Sequence, residues 1–250
     1  ALMGGSEAPA SRPKFKVGEH VWVPAALLTG DRPHALVRLK VREQLGRSVV
    51  VDDRDGVFAR VSSRRAHHDD MGFLVLRVGD MQTEMTLLDP LAKSVLQYLR
   101  LLIPDDILHT LNARTEEEIE RYFKTDGAKI SHLVLIGHGT STSLKTLGNE
   151  LSGNRLGDLM AGSKKPKIVI SLACETGKAG FGRGVSVSEH CQDFVAPFGA
   201  AHGAAASYFL QTLLHNHLLR AHGFKTSARI ANDATEGTTF RHRRDGEMLK

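Results

Sequence analysis

From Met71 onward the chain adopts one repeating pattern. Apolar strand-like runs, GFLVLRV, DDILHTL, SHLVLIGHG, KIVISLAC and DFVAPFG, alternate with stretches of helical spacing over 88–102, 115–124, 155–161 and 204–222. The second of these opens with Thr115-Glu116-Glu117-Glu118, a capping box in which the threonine hydroxyl and the third glutamate satisfy free amides. Strand and helix in alternation predict an α/β fold, a mostly parallel sheet flanked by helices on both faces. In such sheets sites form beyond the carboxyl ends of the strands. Two of the runs end there in reactive side chains, SHLVLIGHG at His138 and KIVISLAC at Cys174.

Residues 15–66 have another texture. Short β-branched runs (VGEHVWVP, ALVRLKVRE, RSVVVDD, VFARVSS) are separated by turn signals at Thr29-Gly30-Asp31 and Asp55-Gly56, which predicts a small all-β barrel. The charged stretch that follows, with His67, His68, Asp69 and Asp70, reads as a linker over 67–70. Consecutive residues rarely converge on one metal ion, so it is not read as a metal site. Residues 71–250 form the second domain. The opening ALMGGSEAPASRPK is small, polar and Pro/Gly-bearing, and 1–14 reads as a disordered leader or tag remnant.

Composition narrows the classes. A chain of 250 residues with 41% hydrophobic content can bury one sizeable core, or one large and one small. Two cysteines, Cys174 and Cys191, do not make a disulfide scaffold, and a reducing compartment is expected. No run approaches the roughly 20 apolar residues of a membrane span, and no signal-peptide pattern opens the chain, so a soluble, cytoplasmic protein is expected. A net charge of +5 permits nucleic-acid or acidic partners without demanding them. The basic cluster Arg241, His242, Arg243 and Arg244 reads as a solvated tail.

A lone cysteine is most often a buried hydrophobe. As a nucleophile it needs a neighbour that accepts its proton, and histidine serves best near neutral pH. Thirty-six residues separate His138 from Cys174, enough for a loop, a helix and a strand in one right-handed crossover, which would set both residues beside one cleft. Acyl transfer also needs donors for the oxyanion, and the backbone amides of Gly139 and Cys174 are the candidates. Gly139 would let a substrate carbonyl approach the main chain.

LVLIGHG followed by IVISLACETG resembles the caspase-like cysteine peptidases, most closely the CHAT branch shared with separase relatives. FKVGEHVWVPAALLTGDRPHALVRLKV, with RSVVVDDRDGVFARV after it, resembles SH3-like barrels of the kind at myosin N-termini. The first resemblance implies His138 as general base and acid, Cys174 as nucleophile, and the Gly139 and Cys174 amides as oxyanion hole. It also implies a protein substrate and activation by a partner, a signal or self-cleavage, often in defence or cell-death pathways. Metacaspases carry an aspartate two residues before the nucleophile, where this chain has Leu172. Charged candidates for substrate contact are therefore sought elsewhere, at Glu175, Arg183, Glu189 and Asp193.

GKAGFGRGVSVSEH matches neither the P-loop nor the dinucleotide template and is expected to be a flexible loop facing the substrate. His215-Asn216-His217 reads as helix surface, Ser141 lacks the context of a serine nucleophile, Cys191 reads as a structural thiol, and His202, in a turn, as structural rather than a cleft residue. The dyad requires no metal or organic cofactor, and no calcium ligand set is readable. Two alternatives stay open: a non-catalytic caspase-like scaffold whose barrel binds a protein or nucleic acid, and a hydrolase of non-peptide acyl groups.

Overall fold

The computed structural model describes residues 13–53, 56–79, 81–162 and 165–249, with 81–87 described by backbone alone. Most of the stretch read as a leader, 1–12, lies outside the described residues.

Ahead of Met71, strands β1 (His20–Pro24), β2 (Leu36–Leu45), β3 (Ser48–Asp52), β4 (Phe58–Ser62) and β5 (His67–His68) pair antiparallel in the order β4-β3-β2-β1-β5. Alternation works as expected here: Val21, Val23, Val41, Val49, Val51 and Val61 point inward and pack with Phe15 and Ala66. One expectation fails at the boundary. His67 and His68 are not linker but the edge strand, paired to Trp22 and Val21. The small sheet shares a core with the rest of the chain, Trp22 and Leu36 packing in one cluster with Leu102, Ile103 and Leu218. The Ala35 amide donates to the Leu101 carbonyl (2.9 Å), and the His67 ring bonds the Leu218 carbonyl (2.8 Å), fastening the seam.

The second sheet contains β6 (Phe73–Val78), β7 (Leu108–Ala113), β8 (His132–Gly137), β11 (Lys167–Ser171), β12 (Cys191–Pro197), β13 (Phe240–Arg244) and β14 (Glu247–Leu249), in the order β14-β13-β12-β11-β8-β6-β7. A two-stranded hairpin of β9 (Ser143–Lys145) and β10 (Glu150–Ser152) lies between β8 and β11 in the chain. Strands β6, β7, β8, β11 and β12 are parallel, and β13 and β14 close the edge antiparallel. Because β8 and β11 are buried on both faces, they read as continuous apolar runs.

Successive side chains go to opposite faces. Phe73, Val75, Val134, Ile136, Ile170 and Leu172 face α1 (Met81–Leu102), α5 (Gly203–Leu214) and α6 (Phe224–Ala234). Leu74, Leu76, Leu133, Leu135, Val169 and Ala173 face α2 (Glu116–Thr125), α3 (Gly153–Met160) and α4 (Ala179–Ser186). The capping box at α2 forms as expected, with Glu118 accepting from the Thr115 amide at 3.3 Å.

Three further expectations need correction. Residues 204–222 are not one helix: α5 ends at Leu214, a π-helical turn runs over His215–Leu219, and α6 starts after Gly223. Asn216 and Leu218 are buried in that turn, so the His-Asn-His stretch is not simple helix surface. The basic run 241–244 is not a solvated tail but belongs to β13, paired with β12. Two of its members are held from inside: buried Asp193 accepts from His242 Nε2 (2.6 Å) and from Arg244 (2.8 Å).

Candidate active site

Strands β8 and β11 are adjacent and parallel, with Ser171 opposite Leu135, so the loops after them leave the sheet side by side. His138 follows β8 directly. Cys174 comes three residues after the end of β11, in a turn built by CETG. Each residue of that turn has a separate task. Glu175 sits in the left-handed region at φ 61°, a strained conformation for a non-glycine residue of the kind that clusters at functional turns. Its amide donates to the Gly199 carbonyl (3.0 Å), and its carboxylate pairs with Lys178 (2.9 Å). Thr176 is fully buried, donating to the Ala173 carbonyl (2.7 Å) and bonding the Ser171 hydroxyl (2.8 Å). Gly177 lies so close to β12 that a Cβ would come within 2.5 Å of the Ala196 carbonyl oxygen.

The histidine loop rests on this turn. A Cβ on Gly139 would lie 2.4 Å from the Cys174 carbonyl oxygen, 2.7 Å from Thr176 Cγ2 and 3.1 Å from Ala173 Cβ. Glycine is therefore required by the packing of one loop on the other, not only by access for a substrate. Beyond it, Thr140 Oγ1 accepts from the Thr142 and Ser143 amides at 3.2 and 3.1 Å, and the Lys145 amide bonds the His138 carbonyl at 2.9 Å. The β9–β10 hairpin thus clamps the histidine loop. Ser141 uses its carbonyl to accept from the Phe181 amide at the start of α4. Among the described residues, neither the Gly139 amide nor the Cys174 amide donates to a protein acceptor.

A third segment, between β12 and α5, closes over the sulfur. The Ala201 amide lies 3.4 Å from Cys174 Sγ and the Ala201 carbonyl 3.8 Å from it. His202 caps α5, its Nδ1 accepting from the Ala204 amide at 3.2 Å. The positive end of α5 accordingly faces the thiol side of the site. His138, Cys174, Leu172, Gly137 and His202 all line one cavity of about 520 Å³ between β11, α1 and α5.

The charged candidates fare differently. Glu175 stays in the turn but is held by Lys178 and does not line the cavity. Arg183 is on the exposed side of α4, near Gly246; the segment expected to be a flexible loop is a helix that buries Phe181 and Val185. Glu189 and Asp193 stand before and at the beginning of β12, the amino end of the parallel sheet, opposite the cleft. Asp193 is spent on His242 and Arg244. None of these three is placed to touch a group bound at Cys174. Sequence reasoning missed Leu88, Leu91, Ser94 and Ser207, whose contribution depends on α1 and α5 meeting over the carboxyl ends.

Cys191 is buried on the α2–α4 face of the sheet, where burial, with the charges of Asp193 and Asp245, pushes its thiol up. Among the described residues no cluster of His, Cys, Asp and Glu is arranged to hold a metal ion, and no helix is long and apolar enough to cross a membrane.

No family model and no curated protein matches the chain. Among solved structures it is similar to a secreted C11 cysteine protease from Bacteroides thetaiotaomicron, solved with an irreversible peptide inhibitor, at 8% identity and a TM-score of 0.46. The alignment covers 70% of this chain and 66% of that one.

Proposed function

We propose that the protein is a cysteine endopeptidase in which Cys174 is the nucleophile and His138 the proton carrier. The observation that carries this reading is the packing of Gly139 onto the Cys174 turn, which holds a histidine and a thiol on the wall of one cavity at the carboxyl ends of adjacent strands. In the first step His138 takes the thiol proton as Sγ attacks the substrate carbonyl carbon. The oxygen of the tetrahedral intermediate accepts from the unused amides of Gly139 and Cys174, where preorganised donors are worth most. His138 then returns the proton to the departing amine, leaving a thioester. Water adds to it, giving its proton to His138, and the acid leaves as the thiol is restored.

The resemblance to caspase-like and CHAT peptidases extends the proposal to a cytoplasmic protein switched on by a partner or signal in a defence or cell-death pathway. The N-terminal sheet, read as SH3-like, is the proposed receiver, and the shared core around Trp22 is the route by which docking there reaches α1. The test is turnover of a diverse peptide library by the parent protein, Cys174→Ala and His138→Ala. Cleavage lost in both variants supports the reading, and cleavage retained in either contradicts it.

A further inference from the structure

The cavity beside Cys174 carries information about the substrate that none of the charged candidates supplied. Leu172, two residues before the nucleophile and on the same face of the sheet, forms part of its wall with Leu88, Pro90 and Leu91. Away from His138, Cys174 and His202, the two serines of its wall are engaged with each other. Ser94 and Ser207 share a hydrogen bond of 2.7 Å, and Gln211 donates to Ser207 at 3.0 Å. Among the described residues no carboxylate, lysine or arginine lines it. Asp89, between two lining residues, is held by Arg77 instead.

A charged side chain placed there would lose its water and meet no counter-ion among the described lining residues, a cost of several kcal/mol. An apolar side chain would bury its surface at roughly 25 cal/mol per Å². The carbonyl carbon that bonds to Sγ is attached to the Cα of the residue whose side chain would enter this cavity, since Cys174 and the apolar wall line it together. Resting on the dyad reading above, we infer that the cavity receives the side chain on the amino side of the scissile bond, and that it selects an uncharged apolar residue of leucine or methionine type over aspartate, lysine or arginine.

The experiment uses peptidyl acyloxymethyl ketones that share one peptide and differ only in the last residue: leucine, methionine, aspartate or arginine. Labelling of Cys174 is timed by mass spectrometry in the parent protein and in His138→Ala. The leucine and methionine probes are expected to label the parent at least about tenfold faster than the other two, a ratio in the range that apolar pockets achieve. Fastest labelling by the aspartate or arginine probe, still dependent on His138, overturns the pocket assignment and leaves the dyad standing. Labelling by none of the probes, or labelling indifferent to His138, overturns the dyad and the pocket assignment together. Leu172→Asp is expected to move the preference toward arginine. Leu91→Ala, which keeps the wall apolar, is expected to improve a phenylalanine probe relative to leucine; the opposite order in the folded variant counts against the assignment.

Discussion

Replacing Gly139 by alanine adds one methyl group at the contact between the loops that carry His138 and Cys174. The backbone at Gly139 is not in the left-handed region, so the substitution acts through space alone. The added carbon would lie 2.4 Å from the Cys174 carbonyl oxygen and 2.7 Å from Thr176 Cγ2. Ordinary carbon contacts begin near 3.4 Å, so the loops must part by about 1 Å. Neither neighbour is a flexible end: one is the backbone of Cys174, the other a methyl of a side chain anchored by two hydrogen bonds. Overpacking of this kind costs about 1–3 kcal/mol of stability. A displacement of about 1 Å at a reacting pair costs on the order of 100-fold in rate. The assay pairs a thermal melt with the rate of Cys174 labelling by a leucyl probe. A folded Gly139→Ala protein whose labelling rate stays within twofold of the parent would refute the claim that this contact sets the site.

Thr176→Val keeps the shape of a buried side chain but removes its bonds to Ala173 and Ser171; a loss of about 1–3 kcal/mol on denaturant unfolding is expected, with slower Cys174 labelling. Asp193→Ala leaves His242 and Arg244 without their shared acceptor, and a cost of about 3 kcal/mol is expected, with Cys174 labelling in the folded protein unchanged because Asp193 lies at the other end of the sheet. Acid is expected to weaken the seam. Desolvation holds His67 down to about 4 despite its bond to the Leu218 carbonyl, and it lowers His132 and His217 as well. Each ring binds its proton less readily in the fold than in the unfolded chain, where histidine takes up a proton below about 6.5. Their contribution is therefore complete above that pH and falls as pH drops toward 4, by about 3 kcal/mol for His67 alone. Denaturant melts between pH 7 and 4.5 check this, and His67→Phe should flatten the dependence.

The readable parts of this chain are those in which one local pattern has one physical outcome. The interiors of β8 and β11, Leu133 to Ile136 and Ile168 to Ile170, are apolar because both faces are covered, and their ends brought His138 and Cys174 into view. The capping box at Thr115 depends on four neighbouring residues and was equally legible. The failures share another cause. GKAGFGRGVSVSEH looked mobile because glycines are permissive, yet Gly182 and Gly184 are small so that α4 can pack against Arg243 and Asn154, a tertiary demand invisible to propensity. Arg241 to Arg244 looked solvated because the acceptor of His242 and Arg244, Asp193, is some fifty residues away. His67 and His68 became strand only because β1 offered a free edge. The cavity wall drawn from α1 and α5 required the full topology.

The most direct test of the central claim is the rate of Cys174 alkylation by iodoacetamide at neutral pH, followed by peptide mass spectrometry, in the parent and in His138→Ala, with Cys191 as an internal reference. A thiol that shares its proton with histidine should react faster than a buried structural one. Cys174 is expected to react at least about tenfold faster in the parent than in the variant, while buried Cys191 stays slow in both. Equal rates at Cys174 with and without His138, in folded proteins, would contradict the dyad.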